Sequence, residues 1–255
     1  MTKVSKNFTG PCFVLKCDIK KFFYSVDHQI LTGIIERKIS GINTLALLQE
    51  IIGSFGIETE HENIQMELFD FRGENRERVP FNCAQDKREQ HLASSGKGIP
   101  IGNLTSQLFA NIYMNEFDQF VKHIYKVKYY CRYTDDFVIV SEKQEYLENL
   151  LPKIKIFLKN ELKLALHPNK ISIRKVWQGI DFLGYVVLPH YRKVRTKTKN
   201  RIFKKLKQRV CAYRAGKTSE KSLFQSLNSY LGVFSHANAY KIEQELKGEF
   251  KVWIQ

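Results

Sequence analysis

An α+β fold is predicted for this chain by the order of its periodic segments, by where its turn residues fall, and by its apolar content. A strand-like run, Phe13 Val14 Leu15, is followed by helical stretches, a hairpin, another helix, short strands and a helical C-terminal stretch. With 255 residues, 43% of them apolar, the chain has enough material to bury a full core, as one domain or as one plus a small appendage.

Taken in order, Ser25 or Asp27 caps a helix through Ile30, Leu31, Ile34 and Ile35, with Gly41 at the position expected of a stop. A second apolar stretch, Leu45, Leu47, Leu48, Ile51 and Ile52, ends at Gly53. From Glu58 to Ser95 the sequence is polar and aperiodic, which reads as loops or an irregular hairpin. After Gly96 Lys97 Gly98 Ile99 Pro100, the pattern Leu104, Leu108, Phe109, Ile112, Tyr113, Phe117 and Phe120 predicts a long buried helix, opened by polar Asn103, Thr105 and Ser106. The runs Tyr129 Tyr130 Cys131 and Phe137 Val138 Ile139 Val140 flank Tyr133 Thr134 Asp135 Asp136, placing two adjacent carboxylates on the tight turn of a β-hairpin. A helix through Tyr146, Leu147, Leu150, Leu151, Ile154, Phe157 and Leu158 comes next, then strands at Ile171 to Ile173 and Phe182 to Leu188. Leu223, Phe224, Leu227, Tyr230, Leu231 and Phe234 share one face of a small C-terminal helical bundle.

The formal net charge is +15, and much of the excess is local: Phe182 to Ser219 holds twelve Lys or Arg and no Asp or Glu. Within it, Arg201 to Val210 is amphipathic at helical spacing, so one face packs while the other stays positive. Such a block faces phosphates, a solvated surface or anionic lipid. The acidic turn elsewhere and the lack of a lipidation signal favour nucleic acid over membrane. Five scattered cysteines with no CxxC pair argue against zinc and against a disulfide framework. The start, Met1 to Lys6, lacks the apolar core of a signal peptide, and no apolar run reaches a membrane-spanning length. A reducing, cytoplasmic setting is expected.

Asp18, at the end of the first strand, and the pair Asp135 and Asp136 are three carboxylates at strand ends. Carboxylate oxygens suit hard cations such as Mg²⁺, bound through one or two carboxylates together with substrate phosphates. Two such ions, roughly 3.5 to 4 Å apart, activate an attacking hydroxyl and stabilise the leaving oxygen of an in-line displacement. Asp18 and Asp135 are the expected bridging pair, with Asp136 beside them or orienting the turn, and Ile19 next to Asp18 in the same metal set. The competing reading is an ordinary Asp turn, since Asp caps nearby amides.

Several segments resemble one family. Phe13 to His28, FVLKCDIKKFFYSVDH, looks like the first palm motif of reverse transcriptases, and YTDD at 133–136 looks like their metal-binding hairpin. GIPIGNLTSQ at 98–107, LHPNK at 166–170 and DFLGYVV at 181–187 resemble the intervening and following motifs, in the right order. The resemblance runs from about Phe13 to the end, and five ordered motifs are far more specific than any one. It implies a right-hand palm over residues 1–190 with residual fingers elements, a helical thumb over 191–255, and RNA-directed DNA synthesis with two Mg²⁺ ions, Mn²⁺ being a possible substitute. Template RNA, primer or cDNA and dNTPs are the implied ligands. By the same carry-over Phe23 crowds the sugar 2′ position, the alternative being a core Phe. Lys170 neutralises charge on the leaving pyrophosphate. Ile101, Gly102 and Gln107 bind substrate, Ile101 beside the nascent pair; Tyr133 contacts nucleic acid, and Phe182, Leu183 and Gly184 grip the primer end. Lys197, Lys199, Arg201, Lys204 and Lys205 hold the duplex backbone.

Two departures from the common pattern carry information. Most reverse transcriptases have Gln before the Gly of the second motif and Pro after its Ser, whereas this chain has Ile101 and Gln107. Both substitutions occur together in reverse transcriptases of diversity-generating retroelements, which implies adenine-biased infidelity and a small basic ring-forming accessory protein as partner. A mispair is penalised less where an apolar side chain replaces a hydrogen-bonding one. In addition, the family's fingers region is largely absent before Phe13, so the chain is expected to be N-terminally short and to polymerise poorly by itself. A group II intron, retron or phage-defence enzyme, or an inactive nucleic-acid-binding remnant, is the alternative.

Overall fold

The structure, a computed structural model, describes residues 10–54, 96–100 and 102–254. Ile101 and the polar stretch from Glu58 to Ser95 therefore lie outside the described residues. The described chain divides into two compact units, one of residues 1–15, 139–147 and 172–255, the other of 16–138 and 148–171. Its α+β class agrees with the sequence reading.

Strands β1 (Phe13–Asp18), β2 (Tyr130–Tyr133), β3 (Asp136–Ser141) and β4 (Ser172–Lys175) form a sheet in the order β2-β3-β1-β4, with β1 and β3 each running through both units. In the unit of residues 16–138 and 148–171, β1 leads into a single turn, α1 (Phe22–Ser25), then α2 (His28–Glu36) and α3 (Ile42–Gly53). Asp27 is the N-cap of α2, its Oδ1 accepting from the Gln29 and Ile30 amides at 3.1 and 3.2 Å. Burial works against ionisation of Asp27, but Lys163, whose Nζ lies 3.0 Å from Oδ2, and those amides outweigh it and hold the carboxyl below its ordinary range. Gly41 does not stop α2; that helix ends at Glu36, and Gly41 is instead the N-cap of α3.

The long helix α4 (Leu104–Gln119) continues as a π-helical turn over Phe120–Ile124. It buries Ser106, Phe109, Ala110, Tyr113, Met114 and Phe117, an i, i+3, i+4 stripe. Leu104 and Leu108, expected in the core, are instead exposed, at 82% and 59%. At 100° per residue they fall on the side of the helix opposite that stripe, so the apolar residues of this segment do not all belong to one face. Phe117 packs on Phe137 with ring centroids 4.9 Å apart, and the fully buried Tyr113 donates its hydroxyl to the Leu162 carbonyl at 2.6 Å. α4 is thereby locked behind the β2–β3 hairpin. Helix α5 (Gln144–Glu161) follows β3.

In the other unit, Phe182 to Leu188 is not one strand. Residues β5 (Ile180–Phe182), β6 (Tyr185–Val187) and β7 (Arg192–Val194) make an antiparallel meander with Asp181 opposite Val186 and Val186 opposite Lys193. Leu183 and Gly184 both take positive φ, 52° and 82°, which matches the twist of a two-residue hairpin. Helices α6 (Thr196–Arg214), α7 (Glu220–Ser235) and α8 (Tyr240–Ile254) close on this meander around Ile202, Leu206, Leu223, Leu227, Phe234 and Leu246. The C-terminal bundle read from the sequence is present, although Phe224 is 41% exposed.

Candidate active site

Asp18 closes β1 and is only 8% exposed. On the hairpin, Thr134 takes a left-handed conformation at φ 53°, uncommon for a β-branched residue, so that Asp135 falls in the turn and Asp136 opens β3. The Ile19 amide donates to the Asp135 carbonyl at 3.2 Å, which ties the end of β1 to the turn. Ile19 itself is buried and bridges to Leu166, while the Lys20 amide donates to Ala165 and the His167 amide to Asp18, both at 2.8 Å. This pairing brings Lys170, at the end of a 3₁₀ turn over Pro168–Lys170, to 3.0 Å from Asp18 Oδ2.

Burial, then the charges of Asp18 and Asp136, push the Asp135 carboxyl up to about 6, against the pull of its own amide and Lys170. Asp136 is also raised, first by burial and then by Asp18, with Lys16 acting the other way. Lys16 Nζ lies 3.8 Å from Asp136 Oδ1, and that oxygen is buried with no hydrogen-bond partner. Sequence reasoning missed Lys16, although its place two residues before Asp18 on a strand was a usable signal, since period two puts both on one face. It also missed Arg132, which alternates inward with Tyr130 along β2.

Among the described residues no group of three or more His, Cys, Asp or Glu stands as a ready-made metal shell. The donor set nonetheless fits a hard divalent cation. Burial and the Asp18 charge raise both Asp135 and Asp136, and a buried Asp136 oxygen is left unbonded, so the cluster has anionic capacity to spare, and a cation of the Mg²⁺ type completes its shell from water and phosphate. Asp18, Asp135 and Asp136 would hold it.

The remaining sequence-derived positions are dispersed. Phe23 is half-buried, edge-on to the buried Phe22 at 5.4 Å, so the core role falls to Phe22. The Phe23 carbonyl accepts from Ile99 at 2.8 Å and the Val26 carbonyl from Gly98 at 2.7 Å, which docks the 96–100 loop against α1. Gly102, at φ 99°, and Gln107 are exposed where α4 begins, and Tyr133 is 61% exposed beside the turn. In the other unit, Gly184 sits where a Cβ would lie 3.3 Å from Thr198 Oγ1. Lys197, Arg201 and Lys204, at i, i+4 and i+7, form one exposed row on α6. Lys199 turns to the packed side, 2.8 Å from both Glu245 carboxylate oxygens, and Lys205 is half-buried.

Carboxylates at the end of a central strand and on the neighbouring hairpin turn, on an α+β sheet accompanied by a separate helical unit, define a polymerase palm with a helical thumb. The model of the family "Reverse transcriptase (RNA-dependent DNA polymerase)" matches residues 2–187, and the chain belongs to that family. It is 25% identical over 205 residues to Protein YkfC of Escherichia coli K12, an alignment covering 68% of this chain and 46% of that protein. It is 22% identical to the Group II intron-encoded protein LtrA of Lactococcus lactis, covering 71% of this chain and 36% of LtrA. A Putative COX1/OXI3 intron 2 protein of Saccharomyces cerevisiae is likewise 22% identical, over 71% of this chain and 24% of its own length. The alignments therefore take in less than half the length of each relative. Among solved structures, telomerase from Candida tropicalis in complex with a fragment of telomeric RNA superposes with a TM-score of 0.52 at 12% identity, over 89% of this chain and 38% of that one, a likeness of fold.

Proposed function

We propose that this chain is the catalytic core of an RNA-directed DNA polymerase, in which the primer 3′ oxygen bonds to the α-phosphorus of a dNTP and pyrophosphate leaves. The observation that carries this reading is the crowding of Asp135 by Asp18 and Asp136, in a member of the reverse transcriptase family. When bound, two Mg²⁺ ions, or Mn²⁺ in their place, would supply Lewis acidity at the attacking and leaving oxygens. The chain's own residues do the rest. Asp18 and Asp135 would hold both ions, Asp136 and the Ile19 segment would support them, and Lys170 would offset charge on the pyrophosphate. Phe23 faces the dNTP sugar; Ile101, Gly102 and Gln107 border the nascent pair. Tyr133, Phe182, Leu183 and Gly184 serve the primer end, and the α6 row binds template and primer backbone. On this reading residues 1–190 are palm with residual fingers elements, and 191–255 are thumb.

Ile101 and Gln107 support assignment to a diversity-generating retroelement, copying its template RNA with errors at adenines alongside a small basic accessory protein, and the scattered cysteines without a CxxC pair support a cytoplasmic setting. The two intron-encoded relatives favour a second reading, mobility of a group II intron. Primer extension on an RNA template with dNTPs and Mg²⁺, comparing wild type with Asp135→Ala and sequencing the products, tests both. Extension lost in the variant supports the polymerase, and misincorporation opposite adenine, reduced by Ile101→Gln, supports the retroelement. Faithful copying by an active chain would refute the latter.

A further inference from the structure

The turn that carries Asp135 is not held by its own hairpin alone. On β2, Tyr130 and Arg132 face inward while Cys131 and Tyr133 face out, as strand alternation requires. Arg132, with a side chain only 9% exposed, donates from Nε to Asp118 Oδ1 at 2.8 Å and from Nη2 to Asp118 Oδ2 at 2.6 Å. Tyr130 donates its hydroxyl to the same Oδ1 at 2.6 Å. Asp118 stands near the end of α4, the helix fixed by Tyr113 and Phe117, so the guanidinium is anchored to a packed element rather than to a loop. Its remaining terminal nitrogen, Nη1, donates to the Thr134 carbonyl at 2.9 Å, with Asn111 Oδ1 at 3.5 Å beside it.

Thr134 is the left-handed residue of the turn, and its carbonyl belongs to the peptide that begins Asp135. The Asp135 carbonyl, one peptide on, accepts from the Ile19 amide. Asp135 is thus gripped on both flanking peptides, by Arg132 before it and by β1 after it. A planar guanidinium delivers three directed donors to two partners at once, which an ammonium cannot do. We propose that Arg132, anchored on Asp118, is a positioning residue that fixes the Thr134–Asp135 peptide and thereby aims the Asp135 carboxylate at the metals. This rests on reading the three carboxylates as a metal site.

Arg132→Lys keeps the positive charge, and removing Arg132 together with Asp118 takes away a balanced ion pair, so neither change alters the net charge beside the carboxylates and a weaker cation affinity reports lost turn geometry without turnover. The experiment is Mn²⁺ titration by electron paramagnetic resonance on the full chain without nucleic acid. Wild type, Asp135→Ala, Arg132→Lys, and the double variant Arg132→Met with Asp118→Leu, which leaves no unpaired buried charge, are compared, each checked by circular dichroism. Outer-shell residues of this kind cost about tenfold or more in metal affinity when changed. Arg132→Lys and the double variant are therefore expected to bind Mn²⁺ about tenfold more weakly than wild type while keeping native spectra. Affinity equal to or tighter than wild type in folded Arg132→Lys would overturn the positioning role. Absence of any Asp135-dependent binding in wild type would overturn the metal-site reading, and this inference with it.

Discussion

The Lys170 ammonium lies 3.0 Å from Oδ2 of Asp18 across 152 residues of sequence. The Ile19–Leu166 bridge and the amide bonds from Lys20 to Ala165 and from His167 to Asp18 hold the two segments in register, so the cation is delivered by backbone pairing. Because Lys170 is 54% exposed, solvent screens its resting attraction to Asp18. On the proposed polymerase reading its role would be to meet the charge that develops on a leaving phosphate, which a fixed ammonium does without reorganisation.

Lys170→Met is therefore expected to lower kcat for primer extension by about 100-fold, the scale of losing one preorganised donor, while template-primer affinity stays near wild type. Steady-state kinetics paired with duplex binding checks the split. A loss confined to duplex affinity would show that Lys170 grips nucleic acid instead.

The raised Asp135 carboxyl fixes a sign for pH dependence. Its folded value of about 6 lies above the ordinary 3.8, so the metal-free folded chain binds the proton more tightly than the unfolded chain, and this group destabilises the fold progressively as pH rises between those values. Asp135→Asn is expected to match wild type near pH 4 and to exceed it above pH 6 by on the order of 1 kcal/mol after discounting for partial exposure. Thermal melts with a chelator across this range read the difference. If Asp135 ligates the metal as proposed, wild-type affinity for Mn²⁺ rises through the same window, because the ligating form is the carboxylate.

Asp27 behaves in the opposite sense. Its folded carboxyl is held below 3.8, so its contribution is present above that pH and is lost as pH falls through the folded value. Asp27→Ala removes the α2 cap and leaves Lys163 without its partner, an expected loss of about 2 kcal/mol at pH 7. Urea denaturation at pH 7 and again below pH 3.8 measures it; the gap should narrow in acid.

On α6 the exposed row and the packed cation should separate cleanly. Lys197→Ala, Arg201→Ala and Lys204→Ala are each expected to lower the slope of log affinity against log salt by up to about 0.9 for a duplex, if each meets one phosphate. Lys199→Ala, which gives up the Glu245 pair, should change that slope less. Filter binding at several salt concentrations distinguishes them, and equal slopes for Lys199→Ala and Arg201→Ala would contradict the assignment.

Much of this architecture was legible in the sequence because the signals were local. The hairpin turn at Asp135, a cap at Ser25 or Asp27, the α4 and α5 segments and the basic helix follow from turn chemistry, capping and 3.6-residue periodicity, which act over a few residues; the structure narrows the cap to Asp27 and moves Asp136 from the turn to the start of β3. The misreadings also have local causes. Leu104 and Leu108 are apolar, but they lie off the Phe109–Tyr113–Phe117 stripe, and Gly41 was equally suited to end one helix or to begin the next.

The sequence by itself determined the α+β order of elements, the three carboxylates at strand ends, the positive charge of α6, and the motif series of a reverse transcriptase. Tertiary structure alone decided that Lys170 sits on Asp18, that Lys16 faces Asp136, that Arg132 ties the turn to Asp118, and that Lys199 is paired while Arg201 is exposed. These are pairings between side chains brought together by sheet register and helix packing. No short window of sequence encodes such a distance, because it is fixed only when separate segments share one core.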